Sequence, residues 1–190
     1  MIRVAITSLL LAGGLAALIS VAPAVAQDGD AEAGAAAWRT GPCKDCHGWA
    51  GDGQPDVSQF NGANLRTTAL GPEDVTEVIR CGIPGTEMPS WRNNAWTEII
   101  PCFGMTEPLD QGQPNKGGRT LGDRTINNLV AFIFRDFVGQ ETVTREYCEQ
   151  INGADSTRCP PYPSEAEVMA AQTAEAEAPA PAGDPDHGAR

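Results

Sequence analysis

The stretch GPCKDCHGWAG, Gly41–Gly51, decides how the rest of the chain is read. Cys43 and Cys46 are separated by two residues, and His47 follows directly. Three chemistries use this spacing: a redox dithiol, part of a zinc site, or covalent attachment of haem. A dithiol of the thioredoxin kind is expected beside a βαβ unit, and zinc needs further ligands. The surrounding chain has to separate them.

Upstream, DGDAEAGAAAWRTG reads as a helix with Asp30 as N-cap and Gly41 past its end. Downstream, residues 48–70 are rich in Gly, Asn and Asp and read as loop. GPEDVTEVIRCG is a second helix, with Pro72 at its first position and Val75, Val78 and Ile79 on one face. From Trp91 to Gly118 the chain is irregular, and so long a loop needs a function or a staple. LGDRTINNLVAFIFRDFVG is the strongest helix, with Ile126, Leu129, Val130 and Ile133 on its apolar face. TREYCEQINGADSTRCPPY reads as a short helix and turn. Beyond Pro163 the composition of Ala, Pro and Glu predicts a disordered tail, with at most one helical turn near Met169. No βαβ unit and no alternating strand pattern is present in the sequence, which disfavours the dithiol.

The N-terminus carries Arg3, an apolar run from Val4 to Ile19 and the small-x-small signal Ala24-Val25-Ala26. This is the pattern of an export signal, residues 1–26, cleaved after Ala26. An exported chain meets an oxidising compartment, where spare thiols pair. Beyond Cys43 and Cys46 there are four more cysteines, Cys81, Cys102, Cys148 and Cys159, with three possible pairings. The net charge is −12, and loss of Arg3 with the signal would make it −13. Such a surface repels nucleic acid and anionic lipid and suits a partner with a basic patch.

Three helices and much loop provide little apolar surface for a domain spanning residues 27–140. A covalently held haem supplies an apolar plate around which short helices can pack. In Cys-x-x-Cys-His the two thiols add to the haem vinyl groups and the histidine meets the iron. The motif therefore favours haem on Cys43, Cys46 and His47. A zinc site remains open only if Cys81 and Cys102 contribute. For the sixth iron position the internal methionines are Met88, Met105 and Met169, and the other histidine is His187, near the C-terminus. Met88 sits in the Gly/Pro loop GIPGTEMPSW with no apolar stripe to join, which singles it out; Met105 in PCFGMTEP is the alternative.

The segment from Gly29 to Gly139 resembles a class I cytochrome c. The resemblance rests on Gly34 and Trp38 in the first helix, on Cys43, Cys46 and His47, on IRCGIPGTEMP at Ile79–Pro89, and on the final helix, with Phe132 at the aromatic position that packs near Gly34. The resemblance implies an all-α fold of three to five short helices around one haem c. It also implies His47 and Met88 as axial ligands. Two features depart from the pattern, the first being the spacing from Trp38 to Cys43, about one residue longer than usual. Ala63 stands where the family often has the proline whose carbonyl orients the proximal histidine, so that acceptor is open. The insert at residues 91–118 and everything after Gly139 lie outside the common core.

With that resemblance, Cys81 and Cys102 flank the methionine loop and would clamp it. Cys148 and Cys159 would pin a C-terminal extension, residues 141–162, ahead of the tail at 163–190. Crossed pairings stay open. The implied function is a periplasmic one-electron carrier rather than an enzyme, with no catalytic residue. Its partners would be redox proteins, resembling the pairing of a quinoprotein dehydrogenase as donor with an oxidase or another cytochrome as acceptor. No nucleic acid and no stable membrane insertion after cleavage are expected. Two alternatives stand beside it: a haem enzyme or gas sensor with an open sixth site, and a haem-bearing subunit docked through Trp91, Trp96, Ile99 and Ile100.

Overall fold

Asp30 starts the first helix by accepting hydrogen bonds from the backbone N–H groups of Glu32 and Ala33. The computed structural model describes residues 29–55, 59–108, 112–157 and 159–177. Six α-helices lie within them: α1 Ala31–Thr40, α2 Cys43–His47, α3 Pro72–Cys81, α4 Asp123–Asp136, α5 Arg145–Asn152 and α6 Glu165–Glu177. No strand occurs among the described residues, only three isolated bridges in and around the insert. The fold is all-α, consistent with the small cytochrome c arrangement that the resemblance implies. The helix number exceeds the three to five expected because the attachment motif forms one turn of its own and the tail forms α6.

The centre of the molecule is the crossing of α1 and α4. It is close because Gly34 has no side chain: a Cβ there would run into the Asn128 carbonyl and the Cβ of Phe132. The expected pairing of Gly34 with Phe132 is thus present. Trp38, Phe132 and Phe137 pack ring against ring with centroids 4.9–6.0 Å apart. Val75 and Ile79 of α3 join Ile126, Leu129, Val130 and Ile133 in the same core. Each such side chain contributes about 1.5–3 kcal/mol by leaving water. The ends are tied as well, by Asp30 N–H to Asn128 Oδ1 at 2.8 Å and Arg135 to Glu32 at 2.6 Å.

A second, smaller core lies inside the insert, where Cys81, Ala95, Trp96 and Cys102 are buried together. The two disulfides are Cys81–Cys102 and Cys148–Cys159, the local pairing. Trp91 and Trp96 both point inward, and of the four apolar residues expected on a docking face only Ile99 is strongly exposed, at 79%. Trp96 goes into the insert's own core and Trp91 into the main one, which leaves neither for docking.

The extension is fastened by Arg66, one of the few buried charged residues. Its guanidinium donates to the carbonyls of Ala50 (2.8 Å), Gln140 and Thr142 (3.4 Å) and lies over the rings of Phe137 and Tyr147. Trp49, two residues after the motif histidine, stacks on Tyr147 at 6.0 Å and meets Tyr162 edge-on.

The tail departs from expectation. Residues Glu165–Glu177 are helical, not a disordered run with one turn. Five of these thirteen residues are alanine, the best helix former, and Glu165 and Glu167 occupy the first turn. Ser164 adds a cap, accepting from the Glu167 N–H while its own N–H donates back to the Glu167 carboxylate. The helix buries no residue. The export signal, His187 and residues 178–190 lie outside the described residues.

Candidate functional site

Cys43, Cys46 and His47 sit on α2, a single turn that follows α1 after a two-residue break at Gly41 and Pro42. One turn brings both sulfurs to the same side, with the imidazole one residue on. Cys43 and Cys46 are the two free cysteines among the described residues. Burial pushes the Cys43 thiol up to about 11.

The His47 ring is fixed from behind. Its Nδ1 lies 2.8 Å from the Ala63 carbonyl oxygen. A carbonyl can only accept, so Nδ1 carries the proton and donates it, and the Nε2 lone pair is left for a metal. Burial lowers the imidazole's basicity, which keeps it in the neutral, ligating form. The acceptor left open by the missing proline is therefore the backbone of Ala63 itself, since the side chain takes no part. Gly62 is required beside it, because a Cβ there would overlap the ring. The backbone closes the cradle through Gly62 N–H to Cys46 O at 2.7 Å and Gly53 N–H to His47 O at 2.8 Å.

Met88 is half-buried and packs against the main core, as do Cys43 and Leu65. Its loop turns on Ile83 N–H to Met88 O (3.1 Å) and Met88 N–H to Thr86 Oγ1 (3.1 Å). Met105, the alternative, belongs to the insert's own cluster and pairs its backbone with Cys102. Cys81 and Cys102 are joined to each other, so they are not thiolates for zinc. Among the described residues no three His, Cys, Asp or Glu side chains converge as a metal cluster. A cavity of about 440 Å³ lies elsewhere, between the end of α4, α5 and α6, and none of its lining comes from α2 or the Met88 loop.

Residues 29–99 match the family model described as cytochrome c oxidase, cbb3-type, subunit III. The match supports a c-type cytochrome domain over these residues. Comparison with curated proteins and with solved structures found no match. A c-type cytochrome domain binds one covalently attached haem c and works in haem-based electron transfer between redox partners; such domains are typically exported. The residues present fit that group: two free thiols on one turn, an imidazole with one nitrogen tied back, and a thioether on the same core. No helix among the described residues is long and apolar enough to cross a membrane.

Sequence reasoning missed Arg66 and the Trp49–Tyr147 stack. A lone arginine in a Gly/Asn loop carries no periodic signal, and an aromatic pair 98 residues apart is joined only by the fold.

Proposed function

We propose that this cytochrome is a periplasmic one-electron carrier with His47 and Met88 as axial ligands. In this reading Cys43 and Cys46 hold the haem as thioethers: each S–H adds across a vinyl group, sulfur to one carbon and hydrogen to the other. The bound haem supplies the one-electron cycle between Fe(II) and Fe(III). The chain's own residues do the rest. Ala63 orients His47 through its carbonyl, Gly62 makes room for the ring, and the core formed by Trp38, Leu129 and Phe132 excludes water. Thioether sulfur favours reduced iron and raises the potential.

The observation that carries this reading is the tied-back imidazole of His47 beside two free thiols, with Met88 on the same core. Export past the signal at residues 1–26 would place the carrier in the periplasm, between a dehydrogenase and the respiratory chain. A net charge of −12 fits a donor with a basic patch, such as a quinoprotein dehydrogenase, and an oxidase or second cytochrome as acceptor. Co-expressed with a haem-maturation system, the protein is expected to stay red after denaturation and acid extraction. The oxidised form should show the far-red Met-sulfur-to-iron band, and Met88→Ala should abolish it and admit carbon monoxide. Retention of the band in Met88→Ala would reject this ligand set.

The matched family's description favours a second reading, a haem-bearing subunit of a larger complex. Against it, the insert exposes just two large apolar side chains among its described residues, Ile99 and Phe103, for docking. Size-exclusion chromatography of the native protein separates the two: a carrier elutes alone.

A further inference from the structure

A helix normally leaves its last four carbonyls to water or to a local cap. The end of α3 is different. Val78 O accepts from Gly82 N–H at 2.8 Å, but the other three are taken by the insert. Ile79 O accepts from Trp91 N–H (3.1 Å), Arg80 O from Arg92 N–H (3.2 Å), and Cys81 O from the Trp96 indole N–H (2.9 Å). The loop carrying Met88 therefore leaves and rejoins the same helical turn. Its exit is held again by Ser90 N–H to Asn115 O and Gly117 N–H to Ser90 O, both 2.8 Å.

Trp96 is the centre of this neck. It is 4% exposed and packs with Cys81, Cys102 and Phe103. Its backbone φ is +60°, a region bulky residues rarely adopt. Such a conformation persists only where the surroundings over-determine it. Here the buried indole bond to the Cys81 carbonyl and the packing on the disulfide hold it.

We propose that Trp96 is a positioning residue for Met88: its indole bond to the end of α3, with the Cys81–Cys102 disulfide, stiffens the ligand loop and controls how readily Met88 yields the iron to another ligand. This rests on Met88 as the sixth ligand. A flexible loop lets the sulfur leave and an external base enter. A loop pinned at its neck makes each departure break the buried indole bond, which leaves a carbonyl unsatisfied in a dry site.

The test uses the ferric holoprotein and imidazole as the competing ligand. Trp96→Phe keeps an aromatic ring but removes the pyrrole half of the indole and with it the N–H donor. It should retain the far-red band without imidazole yet bind imidazole about tenfold more tightly, as loss of one buried hydrogen bond implies. Removing the disulfide by Cys81→Ser with Cys102→Ser should shift binding the same way, and Ile99→Ala, at an exposed site of the same insert, should not. Unchanged imidazole affinity in a folded Trp96→Phe protein would overturn the proposal. Should that variant fail to fold, hydrogen exchange on the unmodified protein decides. The Trp96 indole proton must exchange as slowly as the Trp91 and Arg92 amides, and a fast indole beside slow amides would overturn it too. Met88→Ala separates the two claims. Loss of the band there, with no effect of Trp96→Phe on imidazole, sinks the positioning role and leaves the ligand standing.

Discussion

At the scale of single residues, the site depends on what is absent as much as on what is present. Gly62 lies against the His47 ring so closely that one methyl group would occupy the place of the imidazole. Gly62→Ala should push the ring off the Ala63 carbonyl and cut haem incorporation several-fold, read as the ratio of Soret to protein absorbance in the purified protein. Ala63 teaches the complementary lesson. The sequence lacks the proline the family often has there, yet the carbonyl oxygen is in place, because a backbone acceptor is indifferent to its side chain. Tyr147 adds a pH dependence. Burial, helped by the charge of Asp136, pushes its phenol up to about 12 from the usual 10. The hydroxyl is buried beside Arg66 without a hydrogen bond of good geometry. The folded protein thus keeps a proton that the unfolded chain has lost above pH 10. The associated stability is complete below pH 10 and falls by on the order of 1–2 kcal/mol as pH rises to 12. Tyr147→Phe should cost little at pH 7 and flatten that alkaline loss in denaturant titrations followed by far-UV circular dichroism.

At the scale of elements, α1, α3 and α4 were readable because each has a start signal, an apolar face and a glycine or loop beyond its end. The motif CKDCH was readable as chemistry but not as a helix, since five residues show no period. The tail α6 was misread because composition measures the capacity to bury surface, and an alanine-rich helix capped at Ser164 needs no burial to form. The insert was legible only as an anomaly of length. That its backbone and Trp96 complete the end of α3 depends on contacts between residues 12–15 apart in a stretch without periodicity. The same limit hid Arg66, whose bonds run to carbonyls 74 and 76 residues away.

At the scale of the whole molecule, charge decides how a carrier meets its partner. Redox interfaces are small and weak, so encounter rate matters more than affinity, and complementary charge raises it. Screening tightens from about 10 Å at 0.1 M salt to about 3 Å at 1 M. The second-order rate of reduction by a basic-patched donor should therefore fall steeply with salt. Truncation after Pro163 removes α6, which buries nothing, so stability should change by less than about 0.5 kcal/mol. If acidic residues of the haem domain steer, the salt slope survives the truncation; if the tail steers, it flattens. A rate that ignores salt or rises with it would instead favour apolar contact through Ile99.

The crossing of α1 and α4 has a temporal side. Its ties join Asp30 to Asn128 and Glu32 to Arg135, residues about a hundred apart in the chain. Until α4 exists, α1 has nothing to pack against and the CxxCH turn behind it stays open. Between His47 and Asp136 lie 136 − 47 = 89 residues of chain still to be made. At synthesis rates of 5–20 residues per second that is roughly 4–18 seconds. The fold thus has an order built into it: the crossing against which Cys43 packs can close only when the last large helix arrives.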